Sequence, residues 1–504
     1  MPTYSNPGVY VTESPLRSLP RRGNRAQSTA AFFGTAARGP EEATLVSSWS
    51  DYKTLYGDLA NDHDLGFAVY HYFANGGREA YIVRVAAADA VTATGTVTYL
   101  PDGVGQASAT LFTVAATSPG SWGNGLTLEV TAGTVSATAV QIPTFNLIVK
   151  LNGSEVERWN EVSVDPNNNR YLETVVNTYS RYISVVVPTL TADADWAFDL
   201  AAVALTTGSN GSAVADSDFT AALSALDVIE GVLLLNAVGQ TSTTVVNAFT
   251  AKAEARGNGF VIVDPSPTAV TVSDIGASVV GAYSQSNYCA VYYPMLKMVD
   301  PSKTGPGAIR TTYPGGAVAG AYVRTEVART VAKAPAGYDI DVRNALGLET
   351  VLTPADTATL YDTYQVNMFK AVPGAGVVIN GARTLDKSSP GKYIPLRRSL
   401  NYLKQAISDA TAFAVFEPND ERLWTRLNVA VSALLADFWR AGGLKGANAS
   451  QAFYVVCDSS NNTPTSIANG EVHIEVGVAL QYPAEFVVVS ISQWTGGANT
   501  VETL

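Results

Sequence analysis

Three histidines and two cysteines are the side chains best suited to metal binding or nucleophilic chemistry in this 504-residue sequence, and they are scattered. His63, His71 and His473 have no Cys, His or carboxylate at the spacing a metal site needs. The nearest approach is "NDHDLG" around His63, where Asp and His are suited to capping the helix that follows. Cys289 and Cys457 lie in the apolar, strand-like runs "NYCAVYYP" and "AFYVVCD", and read as small buried hydrophobes. A hydrolase would need a nucleophile, yet there is no Gly-x-Ser-x-Gly elbow and no Gly-rich loop ending in Gly-Lys-Ser/Thr. No Gly-x-Gly-x-x-Gly joins a strand to a helix. "SSPGKY" lacks the earlier glycine of a phosphate loop and the hydroxyl after Lys392, and "NGGREAY" ends a helix where a phosphate site would begin one. No residue is therefore assigned a catalytic, cofactor-binding or metal role, and no cofactor is expected.

The elements that would have to position such groups are clearer. "STAAFFGTA" reads as a buried strand. "SSWSDYKTLYG" reads as a helix with a Ser cap and Gly57 at its end. The helix "LGFAVYHYFANGG" and the strand "EAYIVRVAA" follow, an α/β alternation. From about 91 to 212 the chain turns to short Thr/Val/Gly runs such as "LFTVAAT" and "FNLIVKL", with "LNGS" as a turn and one helix at "YLETVVNTYSRY". The α/β pattern then resumes with the continuous apolar strands "GVLLLNAVG" and "GFVIVDP" around the helix "TTVVNAFTAKAEARG". A helix "VSDIGASVVGAYSQ", a strand "YCAVYYPMLKMVD" and a helix "AVAGAYVRTEVARTV" extend it.

Two amphipathic helices come last. Leu396, Leu400, Leu403 and Ile407 line one stripe of the first, with Arg397, Asn401, Lys404 and Ser408 opposite. Leu423, Leu427, Val431, Leu434 and Phe438 line the second. Strands "QAFYVVCD", "EVHIEVGVAL" and "EFVVVSISQW" close the pattern.

The totals narrow the classes. Nearly half the residues are apolar, 47%, so a sizeable core is available. A net charge of −12 repels a polyanion, so no nucleic acid is expected as a partner. No apolar run approaches the length needed to span a bilayer and the N-terminus lacks a signal-like core, so folding in a cytoplasm without membrane insertion is expected. Positive side chains nonetheless outnumber negative ones between Lys392 and Lys445, either as a solvated helical face or as a contact for an acidic partner.

Two strands lie beside the chain ends. "PGVYVTE" near the start is followed by an extended connector, Pro15 to Gln27, with two prolines and four arginines. "EFVVVSISQW" sits near the end. Each can close the chain's own sheet or pair with the sheet edge of another molecule. A head-to-tail exchange of that kind need not close, and gives a helical filament.

The order of "PGVYVTE", "AAFFGTAARGP", "YFANGGREAYIVRV", "VFEPNDERLW", "AFYVVCD" and "YPAEFVVVSI" resembles tail sheath proteins of contractile phages and related contractile injection systems. The likeness covers the first 87 or so residues and those from about 213 onward. It implies a multidomain α/β and α+β fold: an N-terminal arm and linker (1–27), an α/β sheath domain in two parts (28–90 and 213–388) that is subtilisin-like in shape, a β-rich outward-facing insertion (91–212), a C-terminal assembly and tube-contact domain (389–484) and a C-terminal arm (485–504).

The function implied is structural. Subunits would stack as rings, sixfold in the resembled family, around an inner tail tube, alongside baseplate and tail terminator proteins, and contract to drive the tube through an envelope. Such a protein belongs to a virion tail assembled in the host bacterial cytoplasm. The family's exchanged strands fall here on Gly8, Val9, Tyr10, Val11 and Thr12 and on Phe486, Val487, Val488, Val489, Ser490, Ile491 and Ser492. The linker with Pro15, Pro20 and Gly23 would serve as a hinge, and Arg422 and Arg426, four apart on one helix edge, as tube contacts. An α/β hydrolase-like enzyme and a β-rich surface or shell protein are the competing classes. No triad matches the family's subtilisin-like shape, so no protease activity follows from it.

Overall fold

The computed structural model describes residues 27–100, 108–136, 142–190, 197–198, 201–269, 271–388, 391–485, 493–495 and 498–500. Its largest element is an eight-stranded sheet built from β1 (Thr29–Gly34), β2 (Thr44–Val46), β3 (Ala80–Arg84), β4 (Leu233–Ala237), β5 (Gly259–Val263), β6 (Cys289–Tyr293), β7 (Asn367–Val372) and β8 (Gly376–Asn380). The spatial order is β8-β7-β6-β5-β4-β1-β3-β2. The six inner strands run parallel, and β2 and β8 add antiparallel edges.

Both faces of this sheet are covered, which is why its strands are continuous apolar runs. Ala30, Phe32, Leu234 and Phe260 face one core, closed by helices α1 (Asp64–Ala74) and α3 (Gly315–Ala328). Ala31, Phe33, Leu235 and Val261 face the other, closed by α2 (Thr243–Arg256). Helix ends follow local chemistry. Ser48 Oγ accepts the Asp51 N–H at the start of the Trp49–Tyr56 helix, and Gly57 and Gly257 terminate that helix and α2.

One expected strand is in fact two. "YCAVYYPMLKMVD" divides at Pro294, which has no N–H for a ladder. β6 stays in the large sheet, while Leu296–Val299 pairs antiparallel with Ile309–Thr312 and Ala345–Leu348 in a three-stranded sheet.

The Thr/Val/Gly region forms two four-stranded antiparallel sheets around one apolar core that includes Phe112, Phe145, Leu147 and Val149. The "LNGS" turn has Asn152 and Gly153 at φ 49° and 82°, the left-handed pair of a tight hairpin. Arg84 ties this region to the large sheet. Its side chain, 5% exposed, donates to the carbonyls of Ala36 (3.0 Å) and Pro119 (2.8 Å).

Toward the C-terminus come α4 (Ile394–Thr411), α5 (Glu421–Arg440) and a two-stranded sheet, β9 (Phe453–Val456) with antiparallel β10 (Glu475–Val478). Val431, Leu435 and Phe438 of α5 pack with Phe453, Val455, Val476 and Val478. Asp420 caps α5 by accepting the N–H groups of Arg422 (3.1 Å) and Leu423 (3.0 Å). The two-faced reading of α4 needs correction. Asn401, expected on the polar side, is fully buried and donates to the Gly259 carbonyl at 2.8 Å, and Arg398 is buried beside it. This helix is wedged between the large sheet and α5, so more than one face is covered.

Candidate assembly surface

The outward face of α5 carries Arg422 and Arg426, both exposed as the spacing of its leucines requires. The Arg426 guanidinium lies 4.7 Å from the Phe413 ring centroid and 3.5 Å from Glu417, so its charge is partly engaged. Val415, Val429 and Phe416 are exposed as well. Phe416 is fully exposed and has a φ of 67°, rare for a bulky side chain. Nothing in the local sequence marked it.

The basic excess between Lys392 and Lys445 is not one solvated face. Arg398 is buried, and Arg397 lies 4.4 Å from the Tyr288 ring centroid and donates to Asn401 at 3.0 Å.

On the opposite side of α5, β9 and β10 form a sheet of two strands among the described residues. The Asn428 side chain donates to the Val455 carbonyl at 3.2 Å. An isolated pair of strands is marginal in water, and this one depends on the apolar face of α5.

Two ion pairs are largely withdrawn from solvent. Glu485 receives parallel bonds from Arg383, Nε to Oε1 at 2.9 Å and Nη2 to Oε2 at 2.8 Å, and is also hydrogen-bonded by the hydroxyls of Tyr361 (2.7 Å) and Tyr393 (3.3 Å). Ser28 donates its N–H to Glu326 at 3.1 Å, and Arg398 donates to both Ser28 Oγ (3.2 Å) and Glu326 Oε2 (2.7 Å). Partners 102 and 72 residues apart leave no trace in local sequence.

Gly8, Val9, Tyr10, Val11 and Thr12, the linker residues Pro15, Pro20 and Gly23, and Phe486 to Ser492 lie outside the described residues.

The groups capable of chemistry stay apart. His63 Nδ1 sits 3.1 Å from Thr35 Oγ1, His473 Nε2 3.3 Å from Glu471, and His71 is buried in α1, where desolvation pulls its pKa down to about 4. Among the described residues no three His, Cys, Asp or Glu side chains converge as a metal site. Both cysteines are buried and free, and burial pushes the Cys289 thiol up to about 12. Among the described residues no helix is long and apolar enough to cross a membrane.

At the carboxyl end of β5, where α/β sheets often place a ligand, Asp264 is instead engaged by the protein itself. It accepts from Asn236 Nδ2 (3.0 Å), Gly239 N–H (3.1 Å) and the Gly315 N–H at the start of α3 (2.7 Å). Burial raises its pKa to about 6 against the pull of those donors. A raised carboxyl contributes stability that is complete below its ordinary value near 3.8 and is lost as pH rises through about 6. Wild type should therefore lose about 2 kcal/mol more stability than Asp264→Asn between pH 4 and 7, as read from paired urea melts. Parallel pH profiles for the two proteins would contradict this.

Residues 386–493, which include α4, α5, β9 and β10, match the family described as the phage tail sheath C-terminal domain. Over part of its length the chain is similar to phage tail sheath proteins. It is 26% identical over 244 residues to the tail sheath protein of Vibrio phage KVP40, covering 48% of this chain and 34% of that one. It is 28% identical over 156 residues to the tail sheath protein of Enterobacteria phage T4, covering 31% and 23%. The matches thus span about a third or less of these relatives' length. The fold is similar to the crystal structure of a sheath tail protein from Listeria innocua (TM-score 0.61, 14% identity, 90% and 95% coverage). It is also similar to the sheath of an extracellular contractile injection system, PVC, in the contracted state (TM-score 0.57, 21% identity, 98% and 99% coverage). The relatives bear the names of structural sheath proteins, not of enzymes.

Proposed function

We propose that this chain is the structural subunit of a contractile tail sheath, polymerising as stacked rings around an inner tube and contracting to drive that tube through a target envelope. The observation that carries the reading is the β9–β10 sheet, two-stranded among the described residues and lying within the segment that matches the sheath family. In this reading Gly8–Thr12 and Phe486–Ser492 of neighbouring copies add strands to it, since main-chain pairing at an open edge gives affinity with little demand on sequence. Pro15, Pro20 and Gly23 lie in the linker that lets bodies move rigidly while the arms bend. The extended lattice is held by a kinetic barrier until the baseplate changes shape. The subtilisin-like body, the outward-facing insertion, sixfold rings, a tail terminator and assembly in the host cytoplasm belong to the same proposal.

Electron microscopy of the purified full chain tests it. Hollow tubes of repeated rings are expected; discrete particles would favour the hydrolase-like class, and sheets or spikes the shell class.

Arg422 and Arg426 are the proposed tube contacts, because α5 presents both to solvent. Reversing both charges, Arg422→Glu with Arg426→Glu, should weaken co-assembly with the tube about tenfold, or about 1.4 kcal/mol. Wild-type co-assembly should also lose affinity with added salt more steeply than the variant's. Equal co-sedimentation of the two proteins would remove these residues from the contact.

A further inference from the structure

The turn between α4 and α5 presents Phe416 to solvent with nothing over it, and Val415 beside it is 66% exposed. The Phe416 backbone sits at φ 67°, a left-handed conformation that strains a bulky side chain. Strain of this kind collects at contact and ligand sites, where it serves to aim a side chain. Glu417, also exposed, follows directly. The same chain carries a hollow of matching character. Between residues 348–357 and the β7–β8 hairpin lies a groove of about 500 Å³, a size that encloses small ligands elsewhere. Leu348, Val351, Leu352, Met368 and Phe369 line it, Val351 being 86% exposed, and Lys370 is the one charged side chain in its wall. Knob and groove belong to opposite ends of α4. Asn380 in the groove wall is two residues from Ala382, whose carbonyl accepts the Ile394 N–H at the start of α4 (3.0 Å). The knob follows Thr411 at the other end, about 27 Å along the 18-residue helix.

We propose that Val415 and Phe416 of one copy seat in the Val351–Leu352 groove of the next, with Glu417 against Lys370 at the rim. This rests on the reading of the chain as a self-assembling sheath subunit, and adds a side-chain contact to it that is independent of strand exchange. A second copy is the occupant because both halves of the contact are on one chain, apolar against apolar, with an acid beside the knob and a lysine in the groove. Since the two halves are different surfaces, the contact is head-to-tail, which builds rings or open helices and not closed pairs. It also leaves the outward side of α5, with Arg422 and Arg426, to the tube. Glu417, 3.5 Å from Arg426, lies between the two surfaces.

The test measures the critical concentration for tubes of the full chain by sedimentation, beside the melting temperature of each variant. Phe416→Asn and Val351→Asp should each raise the critical concentration about tenfold, as removal of a central contact residue does. Asn tolerates left-handed backbone, so Phe416→Asn should melt no lower than wild type, a combination that a merely structural role for Phe416 would not give. Glu417→Lys and Lys370→Glu should each raise the critical concentration about threefold, and the two together in one chain should return it to within about twofold of wild type. Wild-type critical concentrations for Phe416→Asn and Val351→Asp would overturn the proposal, as would a double exchange no better than its worse single. If Phe416→Asn weakens only co-sedimentation with the tube, the tube is the occupant and the contact between copies falls. Absence of tubes from the wild-type chain would overturn the sheath reading itself, and this contact with it.

Discussion

Removing residues 1–14 is expected to leave a monomer that melts like the full chain and forms no tubes. Among the described residues, Ser28 is bonded to Glu326 and Arg398, and β1 starts at Thr29 between β4 and β3. The buried apolar positions of the two sheet cores start, among the described residues, at Ala30. Stability should therefore change by less than about 1 kcal/mol, as for surface substitutions away from the core. Assembly has no such reserve. A backbone hydrogen bond nets about 0.5–1.5 kcal/mol, so losing about four from Gly8–Thr12 removes about 2–6 kcal/mol per contact. That is roughly 30-fold to more than 10⁴-fold in each association constant, and a lattice multiplies the deficit over its neighbours. Sedimentation velocity with microscopy of the same sample decides the matter. Tubes from the shortened chain at the wild-type critical concentration would remove the strand-exchange role of the N-terminal segment.

What was legible in the sequence was local. β1, β4 and β5 stand out because burial on both faces makes nearly every position apolar, and helix ends stand out because Ser48, Gly57 and Gly257 meet backbone needs that few other residues meet. The hairpin turn at Asn152 and Gly153 belongs with them. What escaped depends on distant partners. Asn401 looks like a solvent-facing residue until the Gly259 carbonyl, 142 positions away, is placed beside it. Arg398 looks like part of a basic patch until Glu326 arrives from another segment, and nothing near Arg383 announces Glu485. The β7–β8 hairpin had no reading at all, its strands carrying Lys370 and Gly376 among the apolar residues. For the candidate surface, helical periodicity was enough to put Arg422 and Arg426 outside, but nothing short of the fold could reveal that Phe416 has no cover.

Gly316→Val combined with Gly320→Val is expected to abolish folding, although both sites lie in a helix where glycine is the poorer residue. On an exposed helix, replacing glycine with alanine gains about 1 kcal/mol. Here the sign reverses because α3 lies directly on α1. A Cβ at 316 would fall inside contact distance of the Ala68 carbonyl and 2.7 Å from its Cα; at 320 it would overlap the Tyr72 carbonyl and lie 2.8 Å from Asn75 Cβ. Backbone atoms cannot swing aside as a side-chain end can, so the two helices must part. Separation would undo the edge-to-face contact of Phe32 with Tyr72 and draw Tyr322 away from its hydrogen bond to Tyr292. Overpacking costs typically 1–3 kcal/mol per site, and two valines against fixed backbone exceed that to about 5 or more, comparable with the whole stability of a domain. The single Gly316→Ala variant provides a graded check, since its expected fall in melting temperature opposes the helix-propensity gain; an unchanged or raised value would mean that α1 and α3 are not in close contact. Because Glu326 projects from the last turn of α3, the same separation would pull it from Ser28 and Arg398.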